Sequence, residues 1–152
     1  MPEAWRIVRE KHAAAAFTGE GAAKTGGRWN SRGVALVYTS ASESLAALET
    51  LVHLNPFVRF SYTIFRLEFK EAIIEALPLK NLPADWRVEP PSPSTKRIGD
   101  LWVQQARSAV LALPSILVRS ERNYLINPAH PQFSQIKIGP PEKFGFDPRL
   151  LA

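Results

Sequence analysis

Apolar and polar residues alternate over two stretches of this 152-residue chain. Trp5 to Arg9 (WRIVR) alternates apolar and charged positions. Phe60 to Phe69 (FSYTIFRLEF) does so over a longer run, with Tyr62, Ile64, Arg66 and Glu68 on one side and Ser61, Thr63, Phe65, Leu67 and Phe69 on the other. A period of two marks β-strands, because successive side chains leave opposite faces of the pleat. Val34 to Thr39 (VALVYT) is apolar throughout and predicts a strand buried on both faces. Val110–Leu113 and Ile116–Val118 flank Pro114-Ser115 and predict a strand broken at the proline. Ile136 to Ile138 predicts a last short strand, and Ala72 to Ala76 either extends the sheet or begins a turn.

Helical periodicity enters at Ser40-Ala41-Ser42-Glu43, which fits an S-x-x-E capping box. The helix it predicts runs from about Ala41 to Leu54, with Leu45, Leu48 and Val52 on one face, Ala41 and Leu51 near its edges, and Asn55-Pro56 as its end. Thr95 to Ala109 predicts a second helix, with Ile98, Leu101, Trp102 and Gln105 near one face, and Lys11 to Ala16 a helical turn. Residues 17–33 hold five of the eight glycines and read as a polar loop. Residues 78–95, with Pro78, Pro83, Pro90, Pro91 and Pro93, read as an extended connection. Asn123 to Pro131 is turn-rich, and the tail PPEKFGFDPRLLA is irregular. Strands and helices do not alternate regularly, so the chain is expected to be a single α+β domain over 1–152 rather than a doubly wound sheet.

Composition narrows the chemistry. There is no cysteine, which excludes disulfides, thiol nucleophiles and cysteine metal sites. His12, His53 and His130 lie far apart without HExxH spacing, so no metal site is expected. The charge of +5 and the pI near 9.8 favour anionic partners without choosing among them. Basic residues are dispersed, with Lys96-Arg97 and Arg119/Arg122 the nearest thing to patches, and no helix-turn-helix is recognisable, so direct nucleic-acid binding is not expected. The start is too charged for a signal peptide, and the apolar runs are too short to span a bilayer, which needs about 20 residues. A cytoplasmic protein that does not enter the membrane is the expectation.

Four places can carry chemistry. Gly26-Gly27-Arg28-Trp29-Asn30 sets an arginine beside glycines, which suits phosphate as well as it suits a tight loop with a solvated arginine. Tyr38 ends the VALVY run and either offers its ring to a ligand or simply packs. Glu49 borders the apolar face of the first helix, four residues before His53. Ser115 sits between two apolar segments without the surroundings of a serine nucleophile. Asn123, Tyr124, Asn127 and His130 form a polar group that reads as turn chemistry.

Taken together, FTGEGAAKTGGRWNSRGVALVYTSASESLAALETLVHL and IGDLWVQQARSAVLALPSILVRSERNYLINPAHPQF resemble the two signatures of RES-domain proteins, over about Trp5 to Ile138. The family is named for an arginine, a glutamate and a serine, which fall here on Arg28, Glu49 and Ser115, while Tyr38 matches its active-site tyrosine. The resemblance implies a toxin of a bacterial type II toxin–antitoxin module. It implies an ADP-ribosyltransferase-like split β core with flanking helices. NAD would be consumed as substrate, with no resident cofactor, by hydrolysis, phosphorolysis or ADP-ribosylation of a protein. A cognate Xre-type helix-turn-helix antitoxin would cover the active site in a multimeric complex. Arg28 would hold the pyrophosphate, Glu49 the ribose and its developing cation, Tyr38 the nicotinamide ring, and Ser115 the ribose or Glu49. Gly27, Trp29 and Asn30 would shape the pyrophosphate loop, with His53 and Asn127 as further candidates to line the pocket.

Overall fold

The computed structural model describes residues 1–54 and 60–151. Its strands are β1 (Glu3–Arg9), β2 (Val37–Ser40), β3 (Tyr62–Glu68), β4 (Ile74–Ala76), β5 (Val110–Pro114), β6 (Arg122–Ile126), β7 (Lys137–Ile138) and β8 (Glu142–Phe144). Its α-helices are α1 (Glu20–Thr25), α2 (Glu43–Val52) and α3 (Pro93–Gln104). The strands form one mixed sheet in the order β4-β5-β6-β2-β1-β3-β7, with β8 also pairing β3. This is the expected α+β architecture.

The sheet is split. β1 and β3 pair along seven residues, from Glu3↔Glu68 to Arg9↔Tyr62, and β2 and β6 pair along four. Between β1 and β2 only Trp5↔Ser40 is in register. Beyond that bridge Arg6 spans the gap, donating from Nε to the Ala16 carbonyl at 2.7 Å and from Nη1 to the Tyr38 carbonyl at 2.9 Å. Burial lowers the Arg6 pKa to about 10, so it stays charged at neutral pH.

Each face of the sheet carries its own core. One gathers Val37, Phe65, Leu67, Phe69, Val110, Ala112 and Ile126. The other gathers Trp29, Leu36, Trp86, Trp102, Leu111, Leu113 and Leu125, with the Tyr38 ring against it. Helix α3 lies on this second core. Its Gly99 sits so close to the Trp29 backbone that a Cβ there would come within 1.6 Å of the Trp29 carbonyl oxygen. Trp102 is fully buried and donates its Nε1–H to Ser108 Oγ at 2.8 Å.

Several expectations are corrected. The cap of α2 is Ser42, whose Oγ accepts from the Leu45 N–H, and not Ser40. The buried arc of α2 is Leu45 and Ala46, while Leu48 and Val52 are exposed; the helix is rotated to turn Glu49 inward. On α3, Thr95, Gly99 and Trp102 are buried, and Leu101 and Gln105 face outward. The glycine-rich loop contains α1. The segment 116–118 is a turn rather than a strand, and the turn-rich segment from Asn123 opens as β6, paired on both sides. The tail contributes β8. The Asn55-Pro56 helix end lies outside the described residues. No helix among the described residues is long and apolar enough to cross a membrane.

Candidate active site

Tyr38 and Ser40, two apart on β2, leave the same face of the sheet. Their cross-strand partners Leu125 and Asn123 on β6 share that face, as do Leu111 and Leu113 on β5. Along β2 and β6 the face therefore changes from apolar, at Tyr38 and Leu125, to polar, at Ser40 and Asn123. Glu49 meets this polar end from α2.

Two side chains donate to the Glu49 carboxylate. Ser40 Oγ donates to Oε1 at 2.5 Å, and Asn123 Nδ2 reaches Oε1 at 2.8 Å and Oε2 at 3.0 Å. The Ser115 hydroxyl is near enough to favour the ionised form, and it is fully buried, its Oγ accepting the N–H groups of Leu117 and Val118 at 3.2 and 3.3 Å. No salt bridge to Glu49 is found among the described residues. Burial pushes its pKa up, and the hydrogen bonds from Ser40 and Asn123, the nearby His53 and the Ser115 hydroxyl pull it partly back. A partly desolvated carboxylate, oriented but not neutralised, suits stabilisation of a positive charge that forms only in a transition state.

The second group is built on the loop from Gly27. Tyr38 OH accepts the Trp29 N–H at 3.1 Å and donates to Asn30 Oδ1 at 2.6 Å, and burial pushes the phenol pKa up. Asn30 is fully buried and donates to the carbonyls of Ala22 and Val34 at 2.9 and 3.0 Å. Gly27 is required here, since a Cβ would stand 2.6 Å from the Tyr38 oxygen. Lys96 clamps the loop, Nζ donating to the Gly27 carbonyl at 2.7 Å. Arg28 comes next, 9% exposed, its guanidinium on residues of the 78–92 connection.

The structure thus brings Glu49 and Ser115 into one cluster and Gly27, Arg28, Trp29, Asn30 and Tyr38 into another. The two are joined through β2, where Tyr38 and Ser40 alternate with Thr39. Trp29 and Asn30 turn inward as supports. His53 caps the C-terminal end of α2 and is exposed. Asn127 stands apart, beyond the far end of β6 from Asn123, its Oδ1 accepting the Ala129 N–H at 3.0 Å. Two members were not singled out from sequence as site residues. Ser40 looked like a helix cap, and Asn123 like a turn former; the apolar run Tyr124-Leu125-Ile126 directly after Asn123 was the signal for a strand there.

A split mixed sheet with an inward glutamate, a tyrosine on the neighbouring strand and an arginine on a glycine loop defines a class of α+β domain. The chain matches the RES domain over residues 3–147. It is 40% identical to "Toxin Res" of Yersinia enterocolitica over 96% of this chain and 97% of that protein. It is 41% identical to the "Prs ADP-ribosylating toxin" of Sphingobium sp. over 97% and 95%. A chain of the crystal structure of the M. tuberculosis MbcT–MbcA toxin–antitoxin complex shares the fold with a TM-score of 0.75 at 14% identity, covering 94% of this chain and 84% of that one. The chain belongs to the RES-domain family of toxins.

Proposed function

We propose that this toxin consumes NAD by cleaving the bond between nicotinamide and ribose. The observation that carries the reading is Glu49, a half-buried carboxylate held by Ser40 and Asn123 near Ser115, with no cationic partner bonded to it among the described residues. When the bond breaks, both its electrons leave with nicotinamide, which becomes neutral, and positive charge develops on the ribose ring. Glu49 faces that charge and takes hydrogen bonds from the ribose hydroxyls. Tyr38 places its ring beside the departing nicotinamide, and Arg28 supplies charge for the pyrophosphate. Water then adds to the ribose carbon and loses a proton, giving ADP-ribose; phosphate in its place gives the phosphorylated sugar. A cognate Xre-type antitoxin that covers this site keeps the enzyme silent, in keeping with the fold shared with a toxin–antitoxin complex.

Transfer of ADP-ribose to a cellular protein is the second reading, favoured by the ADP-ribosylating relative at 41% identity. Brief induction in bacteria, with mass spectrometry of the NAD pool and of the proteome, separates the two. The expected result is a fast fall in NAD with the wild type and none with Glu49→Gln. Undiminished NAD together with an ADP-ribose mass on one protein selects transfer. Equal depletion by a folded Glu49→Gln protein sinks the role given to that carboxylate.

A further inference from the structure

Arg28, assigned above to the pyrophosphate, already has partners in the protein. Nη1 donates to the carbonyls of Trp86 and Val88 at 3.0 and 2.8 Å, and Nη2 donates to Glu89 Oε2 at 2.6 Å. A guanidinium carries five N–H donors in one plane, so three are engaged in these bonds. The Nε and Nη2 donors share one edge of that plane, the edge that receives two oxygens of a carboxylate or phosphate side by side. Glu89 engages Nη2 through a single oxygen.

The segment carrying Glu89 is tied down around it. Trp86 is buried in the second core, Arg87 Nη2 donates to the Ile116 carbonyl at 3.0 Å beside Ser115, and Asp85 accepts from Ser94 Oγ at 2.7 Å. The Nη1 contacts to Trp86 and Val88 are therefore fixed, and they aim the guanidinium. Glu89 is different: its side chain is 72% exposed against 9% for Arg28. It can rotate into solvent while the segment stays in place.

We infer that Glu89 is an internal competitor for the substrate's diphosphate, its carboxylate resting on the Arg28 Nη2 that the diphosphate takes and swinging out when substrate binds. The inference rests on the NAD reading above and adds a determinant of selectivity to it. A ligand that engages Arg28 through phosphate oxygens has to displace Glu89, and a ligand that stops at the nicotinamide end does not. Glu89 therefore raises the KM for dinucleotide and leaves the chemical step alone.

The test is steady-state kinetics on the purified protein, comparing wild type with Glu89→Ala and with Glu10→Gln, a remote exposed carboxylate. For Glu89→Ala the KM for NAD and the inhibition constant of ADP-ribose are expected to fall about two- to fivefold, as for loss of a partly exposed ion pair. The kcat and the inhibition by nicotinamide stay at wild-type values. An unchanged or higher KM in a folded Glu89→Ala protein overturns the inference, as does an equal fall in Glu10→Gln. If the wild type does not consume NAD, the reaction assignment fails separately, and ADP-ribose titrated calorimetrically into both proteins decides instead. Tighter binding to Glu89→Ala then supports the competitor, and equal or undetectable binding to both overturns it.

Discussion

The Glu49 carboxylate is more costly to the fold than its neutral analogue. Its pKa is raised, so the folded chain holds this proton more tightly than the unfolded chain does. The stability it contributes is complete below the unfolded glutamate value of about 4.3 and is lost as pH rises through the higher folded value. Glutamine cannot ionise and keeps an acceptor for Ser40. Glu49→Gln is therefore expected to raise Tm at pH 7 while lowering NAD turnover by about 100-fold or more, the scale for losing one preorganised electrostatic group; a lower Tm in calorimetry would contradict the cause given for the shift. Asn123 acts in the opposite direction, because its hydrogen bonds favour the ionised form. In Asn123→Ala the acid limb of the rate profile should move to higher pH, on top of any loss of kcat. A profile that falls uniformly without moving would make Asn123 a structural residue only. The same two residues show what the sequence could not make legible. Ser40-x-x-Glu43 has the form of a capping box, but Ser40 spends its hydroxyl on Glu49 and the cap passes to Ser42. A local motif gave way to a partner nine residues on, which periodicity does not register.

At the scale of elements, legibility tracked how far each depends on its own residues. β1 and β3 show their alternation directly, and the register between them matches it. β6 does not. Asn123 is a poor strand former, Asn127-Pro128 cuts the strand short, and β6 exists because β2 and β5 supply hydrogen bonds on both sides. The six residues of α1 and the three of β8 are too short to announce themselves and are held by what they pack against. Helix α2 looked like an ordinary amphipathic helix, yet carrying Glu49 inward leaves Leu48 and Val52 exposed. Helix α3 has a steric requirement instead. Gly99→Ala drives a methyl into the Trp29 carbonyl, and backbone cannot rotate away as a side chain would. We expect it to cost about 3 kcal/mol or more and to lower Tm by roughly 6–12 °C, since it forces α3 off the second core. Calorimetry checks this, and a near-wild-type Tm would mean that α3 can shift without penalty.

At the scale of the molecule, the split in the sheet ties stability to the candidate site. Two blocks of strands meet through the Trp5↔Ser40 bridge and the guanidinium of Arg6. Arg6→Met keeps the length of the side chain and leaves the carbonyls of Ala16 and Tyr38 without their donor. The expected cost is about 2–3 kcal/mol, with a fall of roughly 4–12 °C in Tm, as for buried acceptors left unpaired. Because Tyr38 belongs to the candidate site, kcat/KM for the proposed reaction should fall as well; thermal melts and NAD kinetics on one preparation read both. The candidates Arg28, Tyr38, Glu49 and Ser115 were named from the sequence, while the contacts that hold them were not legible in it, since the partners come from remote parts of the chain. That remoteness also bears on how the protein is made. Glu49 is translated 74 residues before the Asn123 that holds it. At about 5–20 residues per second, a ribosome needs roughly 4–15 s to cross that interval. Throughout it the nascent chain carries its glutamate without Asn123. A fragment that ends before residue 123 lacks Asn123, and it is expected to lack the activity proposed above.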